Sequence, residues 1–129
     1  MPIVGHGIDI ASVERIGEMI ADHGERFLQR VFTGAEQAAA GQQANSGKRA
    51  EHLAGRFAAK EAALKAIGTG WRDGIAWTDV EVVNLPSGAP SLRLHGKAAE
   101  IASGLGVRSL HVSISHAAGL ATASVILES

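Results

Sequence analysis

The segment from Lys48 to Ile67 is the longest helical pattern in the chain, and everything else must be arranged around it. Its apolar residues recur at three- and four-residue spacing until Gly68-Thr69-Gly70, where glycine ends the helix. With Leu53 at zero, the helical period places Leu64 at about 20°, Phe57 at about 40°, Ala54 at about 100° and Ile67 at about −40°. That arc is the buried face. Lys60, at about −20°, and Glu61, at about 80°, fall inside it, and Lys65 borders it at about 120°. A buried charge needs a partner, because taking it out of water costs several kcal/mol. An internal ion pair satisfies this requirement, as does Lys60 running its stem out to solvent. So does a half-buried cleft in which a carboxylate and two ammonium groups carry chemistry.

A second segment bears on that choice. Ile3-Val4-Gly5-His6-Gly7-Ile8-Asp9-Ile10 alternates as a strand, with Val4, His6, Ile8 and Ile10 on one face and Ile3, Gly5, Gly7 and Asp9 on the other. Two glycines leading to a carboxylate make either a bulged or edge strand, or a surface that another group approaches closely.

The remaining segments predict an α+β fold. Ser12 caps a helix to about Ala21, and a short helix covers 25–31. Thr33 and Glu36 match a capping box before an Ala-rich helix, and 41–47 is a polar loop. After the long helix come a strand near 79–84, a turn at 86–90, a short strand at 91–94 and a helix at 97–105. Two final strands, 109–115 and 120–127, are joined by a hairpin loop at 116–119. This order suits a mainly antiparallel sheet packed around one long helix.

Composition narrows the function classes. At 129 residues, one domain spanning 1–129 is expected. Twelve basic against 13 acidic residues give a net charge of −1, which argues against nucleic acid or an acidic membrane as partner. The absence of cysteine removes disulfides, thiolate metal sites and cysteine nucleophiles. No apolar run reaches the ~18 residues of a membrane span, and Met1-Pro2-Ile3-Val4-Gly5 has no basic region and opens no long apolar core, so no signal peptide is expected. A cytoplasmic location is the expectation. With no Tyr, 3 Phe and 2 Trp, the core must be built from Ala, Ile, Leu and Val. A chain so short and so poor in aromatics is a candidate for burying surface against a partner copy.

The charged residues suggest a chemistry. Asp9 and Glu61 are oxygen donors suited to Mg²⁺, which takes one or two carboxylates and keeps waters or substrate phosphates. Lys60 and Lys65 suit phosphate oxygens. Neither a P-loop nor a kinase fingerprint is present. Gly68-Thr69-Gly70 either offers backbone N–H groups to a phosphate or simply stops the helix. In His111-Val112-Ser113-Ile114-Ser115-His116, alternation puts His111, Ser113 and Ser115 on one face, facing solvent or walling a site, with Val112, Ile114 and His116 on the other.

Three blocks, Gly7-Ile8-Asp9-Ile10, Arg56-Phe57-Ala58-Ala59-Lys60-Glu61-Ala62 and His111-Val112-Ser113-Ile114-Ser115-His116, occur in that order. With Phe32-Thr33-Gly34-Ala35-Glu36 and Gly68-Thr69-Gly70, the chain closely resembles the holo-[acyl-carrier-protein] synthase family of small bacterial 4′-phosphopantetheinyl transferases. The resemblance covers essentially the whole chain. It implies transfer of the phosphopantetheine arm of coenzyme A to a serine of apo-acyl carrier protein, for fatty acid biosynthesis, releasing adenosine 3′,5′-bisphosphate. Asp9 and Glu61 match the family's Mg²⁺ ligands, and with Lys65 they form the expected catalytic set. Lys60, Lys65, Gly68, Thr69, Gly70, His111 and Ser113 are the expected coenzyme A contacts. Arg15, Arg26 and Arg30 match positions that contact the carrier protein. A homotrimer with sites at its interfaces is likewise implied by the resemblance. Leu120 stands where many relatives carry an aromatic residue, and Ile67 where Phe is frequent.

Overall fold

The structure, a computed structural model, describes residues 2–70 and 74–129. Strand β1 (Ile3–Ser12) leads into helices α1 (Val13–His23), α2 (Glu25–Val31), α3 (Gly34–Gly41) and α4 (Ser46–Ile67). A short 3₁₀ turn at Trp77–Asp79 precedes strands β2 (Val80–Asn84) and β3 (Pro90–Leu94). Helix α5 (Gly96–Gly104) and strands β4 (Ser109–Ala117) and β5 (Leu120–Glu128) complete the order.

The expected α+β class is present, but the strands form two antiparallel ladders rather than one sheet. The larger has the order β1-β5-β4, and β2 pairs separately with β3. The local signals explain most boundaries. Ser12 accepts the Arg15 N–H at 3.2 Å to start α1. Thr33 and Glu36 make both bonds of a capping box. Asn45 accepts the Lys48 N–H at 2.9 Å, so α4 begins earlier than its apolar periodicity indicates and the preceding loop is shorter. Gly68, with φ 90°, closes α4 by donating its N–H to the Leu64 carbonyl at 2.9 Å. The β4–β5 hairpin turns tightly through Ala118 and Gly119, both at positive φ, and the Gly119 carbonyl accepts the Val13 N–H at 2.9 Å.

Helix α4 lies against one face of the β1-β5-β4 sheet. The contact is made by small residues: a Cβ on Gly5 would meet the Ala66 carbonyl oxygen at 2.1 Å, and one on Gly7 the Ala62 oxygen at 2.0 Å. What approaches the two glycines of β1 is therefore the backbone of α4. Ala54, Ala58, Ala59, Ala62 and Ala63 are all fully buried along this helix. Backbone-to-backbone approach leaves little volume to fill, which is how the core closes with so few aromatics. The opposite face of the sheet is open, with Ile8 57% and Ile10 63% exposed. Among the described residues, no helix is long and apolar enough to cross a membrane.

Candidate active site

Alternation along β1 turns Gly5, Gly7 and Asp9 toward α4. The glycines bring strand and helix together, and two residues later the Asp9 side chain emerges at the edge of that seam. Lys65 Nζ lies 2.9 Å from Asp9 Oδ1 and 3.0 Å from the Ile8 carbonyl oxygen. Lys65 is one helical turn beyond Glu61, so the two share a face of α4. Glu61 lines a cleft of about 580 Å³ together with Ile10, Ala11, Ser12, Arg15 and Leu120. The structure thus gathers Asp9, Glu61, Lys65 and Arg15 around the junction of β1, α1 and α4. The Asp9 backbone is held from behind by Thr122, whose hydroxyl donates to the Asp9 carbonyl oxygen at 3.0 Å.

Among the described residues there is no group of three or more His, Asp or Glu side chains placed to hold a metal. The donor chemistry nevertheless suits Mg²⁺, because this ion is content with one or two carboxylates when a phosphorylated substrate supplies the remaining oxygens. Asp9 and Glu61 supply that number.

Lys60 goes elsewhere. Its side chain is fully buried, and Nζ lies 2.8 Å from Glu36 Oε1. It also donates to the carbonyl oxygens of Trp77, at 3.2 Å, and Val80. Burial pushes the ammonium below its usual range, while the Glu36 carboxylate works to keep it charged. The Lys60 expected among coenzyme A contacts is therefore an internal ion pair, with no donor left for a ligand in the cleft. Glu36 also accepts the Thr33 N–H at 2.9 Å and the Val82 N–H at 2.7 Å.

His111 and Ser113 are also apart from Asp9 within the chain. Both lie on the open face of the sheet, while Asp9 is on the face covered by α4. His111 Nε2 is 2.6 Å from Glu128 Oε1. The other parity of β4 meets α4. Ile114 and His116 line a pocket of about 240 Å³ with His52, Arg56, Asn84 and Gln43. Arg56 Nη2 donates to Asn84 Oδ1 at 2.8 Å. A Cβ on Gly55 would meet Ile114 Cγ2 at 2.9 Å, so this glycine lets strand and helix close up beside the pocket. His52 Nε2 is buried with no hydrogen-bond partner among the described residues. Its pKa falls from 6.5 to about 4, first through burial, then through Arg56 and His116. A concave site with a guanidinium and two imidazoles suits an anion. The sequence reading passed over His52, Arg56 and His116 as site residues, although His116 shares its strand face with Val112 and Ile114, an unusual position for a polar ring.

Gly68 spends its N–H on closing α4, so the helix-stop reading of Gly68-Thr69-Gly70 accounts for that group; Thr69 Oγ1 donates to the Gly70 carbonyl at 3.0 Å. Arg26 and Arg30, on α2, flank an apolar pocket of about 340 Å³ formed with Met19, Phe27, Phe57 and Trp77. Phe57 and Trp77 stack with centroids 5.0 Å apart at its floor.

Comparison with known proteins identifies the family. The 4′-phosphopantetheinyl transferase superfamily matches residues 5–120. A holo-[acyl-carrier-protein] synthase of Solibacter usitatus is 51% identical over 126 residues, covering 98% of each chain. The crystal structure of the Helicobacter pylori holo-[acyl-carrier-protein] synthase in complex with coenzyme A superposes with a TM-score of 0.82 at 31% identity, over 95% of this chain and 99% of that one. A Bacillus anthracis holo-(acyl-carrier-protein) synthase, in complex with coenzyme A (3′,5′-ADP), gives 0.80 at 38% identity, over 98% and 97%. With the Asp9 strand and the Lys60-Glu61 helix packed together inside the matched region, the chain belongs to the holo-[acyl-carrier-protein] synthase family of phosphopantetheinyl transferases.

Proposed function

We propose that this chain transfers the 4′-phosphopantetheine arm of coenzyme A to a serine of apo-acyl carrier protein in a Mg²⁺-dependent reaction, releasing adenosine 3′,5′-bisphosphate. The observation that carries this reading is the meeting of Lys65, one turn from Glu61, with Asp9 at 2.9 Å. Asp9 and Glu61 would hold the Mg²⁺, which would supply charge neutralisation for the phosphates. Lys65 donates to the phosphate that leaves, stabilising charge as the bond to the β-phosphorus breaks. The serine oxygen forms the new bond to that phosphorus as the bond to the oxygen of adenosine 3′,5′-bisphosphate breaks, and the serine proton passes to solvent water. Thr69 and Gly70 lie at the same end of α4 and contribute donors to the phosphates.

The pocket of His52, Arg56 and His116 takes the phosphorylated adenosine end of coenzyme A. The Arg56 guanidinium and the unpaired His52 Nε2 favour that assignment, and the Helicobacter pylori and Bacillus anthracis relatives bind the same class of ligand. A homotrimer lets one copy supply the Asp9 cleft and its neighbour the adenosine pocket, His111 and Ser113. The open sheet face with Ile8 and Ile10 is the surface suited to such assembly. The carrier protein docks on α1 and α2, with Arg15, Arg26 and Arg30 meeting its acidic groups.

Incubation with apo-carrier protein, coenzyme A and Mg²⁺, followed by mass spectrometry of the carrier, tests the reading. A gain of the phosphopantetheine mass, abolished by chelator and by Asp9→Ala, is expected. An unchanged carrier mass defeats it.

A further inference from the structure

We infer that Glu36 and Lys60 are positioning residues whose buried ion pair sets the rotation of α4, and with it the placement of Glu61 and Lys65 opposite Asp9. This rests on the metal-site reading above.

The two sides of α4 do different work. Toward β1 it presents Ala62 and Ala66 to Gly7 and Gly5, backbone against backbone. Such a seam sets the distance between helix and strand. Its packed residues are too small to interlock, and the Lys65 contact across it is made by a half-exposed side chain, so the seam constrains rotation about the helix axis weakly. At a radius of about 5–6 Å, a rotation of about 20° moves a side chain by about 2 Å. Catalytic groups tolerate far less than that.

The angular constraint comes from the opposite side. Lys60 Nζ is held by Glu36 Oε1 at 2.8 Å and by the carbonyl oxygens of Trp77 and Val80, with the Phe32 ring 5.7 Å away. Glu36 is itself fixed by the N–H groups of Thr33 and Val82. The pair therefore ties three elements, α3, β2 and α4, at one fully buried point. Lys60 immediately precedes Glu61, so any turn of the helix that carries Glu61 away from Asp9 breaks this set of bonds. Neither Glu36 nor Lys60 touches the cleft; they act through the helix.

Binding of Mn²⁺ in the presence of saturating coenzyme A, followed by electron paramagnetic resonance alongside melting temperature, separates positioning from simple stabilisation. Glu36→Gln leaves a buried ammonium without its counter-charge and lowers the melting temperature. The double variant Glu36→Gln/Lys60→Met removes both charges, and Glu36→Asp keeps both while shortening one arm. Both are expected to bind Mn²⁺ roughly tenfold more weakly while folded, the size typical of groups behind metal ligands. Wild-type affinity in either folded variant overturns the inference. If the double variant does not fold, Glu36→Asp decides alone. Mn²⁺ binding by the wild type that is indifferent to Asp9→Asn would instead remove the metal-site reading, and this inference with it.

Discussion

Gly7 and Ala62 meet so closely that a Cβ on Gly7 would lie 2.0 Å from the Ala62 carbonyl oxygen. A backbone oxygen in a 22-residue helix cannot step aside as a side chain would. Gly7→Ala should therefore push β1 off α4, costing at least about 2–3 kcal/mol. It should also reduce transfer more than the stability loss alone explains, because Asp9 is two residues away. Urea denaturation with carrier mass analysis checks both; a variant as stable and active as wild type contradicts the close approach.

Asp9 and Lys65 should behave differently. Their side chains are 18% and 55% exposed, so the pair contributes at most about 1 kcal/mol to folding. Asp9→Asn and Lys65→Met are expected to melt like wild type yet lower kcat by about 10²–10³. Activity that merely tracks melting temperature would assign the pair a structural place only.

His52 links stability to pH. With a pKa near 4 in the fold against 6.5 ordinarily, the folded chain binds fewer protons than the unfolded chain between those values. Stability should fall as pH drops through that window, and His52→Gln should flatten the slope. Adenosine 3′,5′-bisphosphate brings negative charge to the pocket, so its thermal protection should grow as pH falls. Parallel melting curves for wild type and His52→Gln would exclude His52 as the cause.

Arg30 offers a clean test of carrier docking. Arg15 shares the cleft with Glu61, so reversing it perturbs chemistry and docking together, whereas Arg30 flanks the apolar pocket on α2. Arg30→Glu should raise the KM for carrier several-fold, leave that for coenzyme A near wild type, and reduce the salt dependence of the reaction. Equal changes in the two KM values count against docking there.

Assembly can be read by complementation. Asp9→Ala and Arg56→Glu should each be inactive, yet co-refolded mixtures should recover roughly a quarter of wild-type activity if each site draws on two copies. Ile10→Glu, on the open face, should give monomers by light scattering. A mixture no more active than its parts places the whole site within one chain.

Much of this arrangement was legible from local signals. Ser12, the Thr33–Glu36 box and Gly68 mark helix ends through groups a few residues apart, and strand alternation correctly separated His111 and Ser113 from Ile114 and His116. The capping reading of Glu36 was complete as far as local bonds go. Its second task, holding Lys60, depends on a residue 24 positions away that no local pattern connects to it. The pocket beside Gly55 is invisible to local patterns for the same reason: His52, Arg56, Asn84 and His116 come from a helix and two strands of different ladders.

Periodicity by itself determined that Lys60 and Glu61 both lie on the inner arc of one helix, and that Asp9 follows two bare glycines on a strand. It could not say on which side of the helix the strand would lie. Tertiary packing decided that: β1 closes on Ala62 and Ala66, bringing Asp9 to Lys65 and leaving Lys60 to Glu36. The physical reason is that a helix fixes angles among its own residues, whereas the orientation of one element against another is set by contacts between distant parts of the chain.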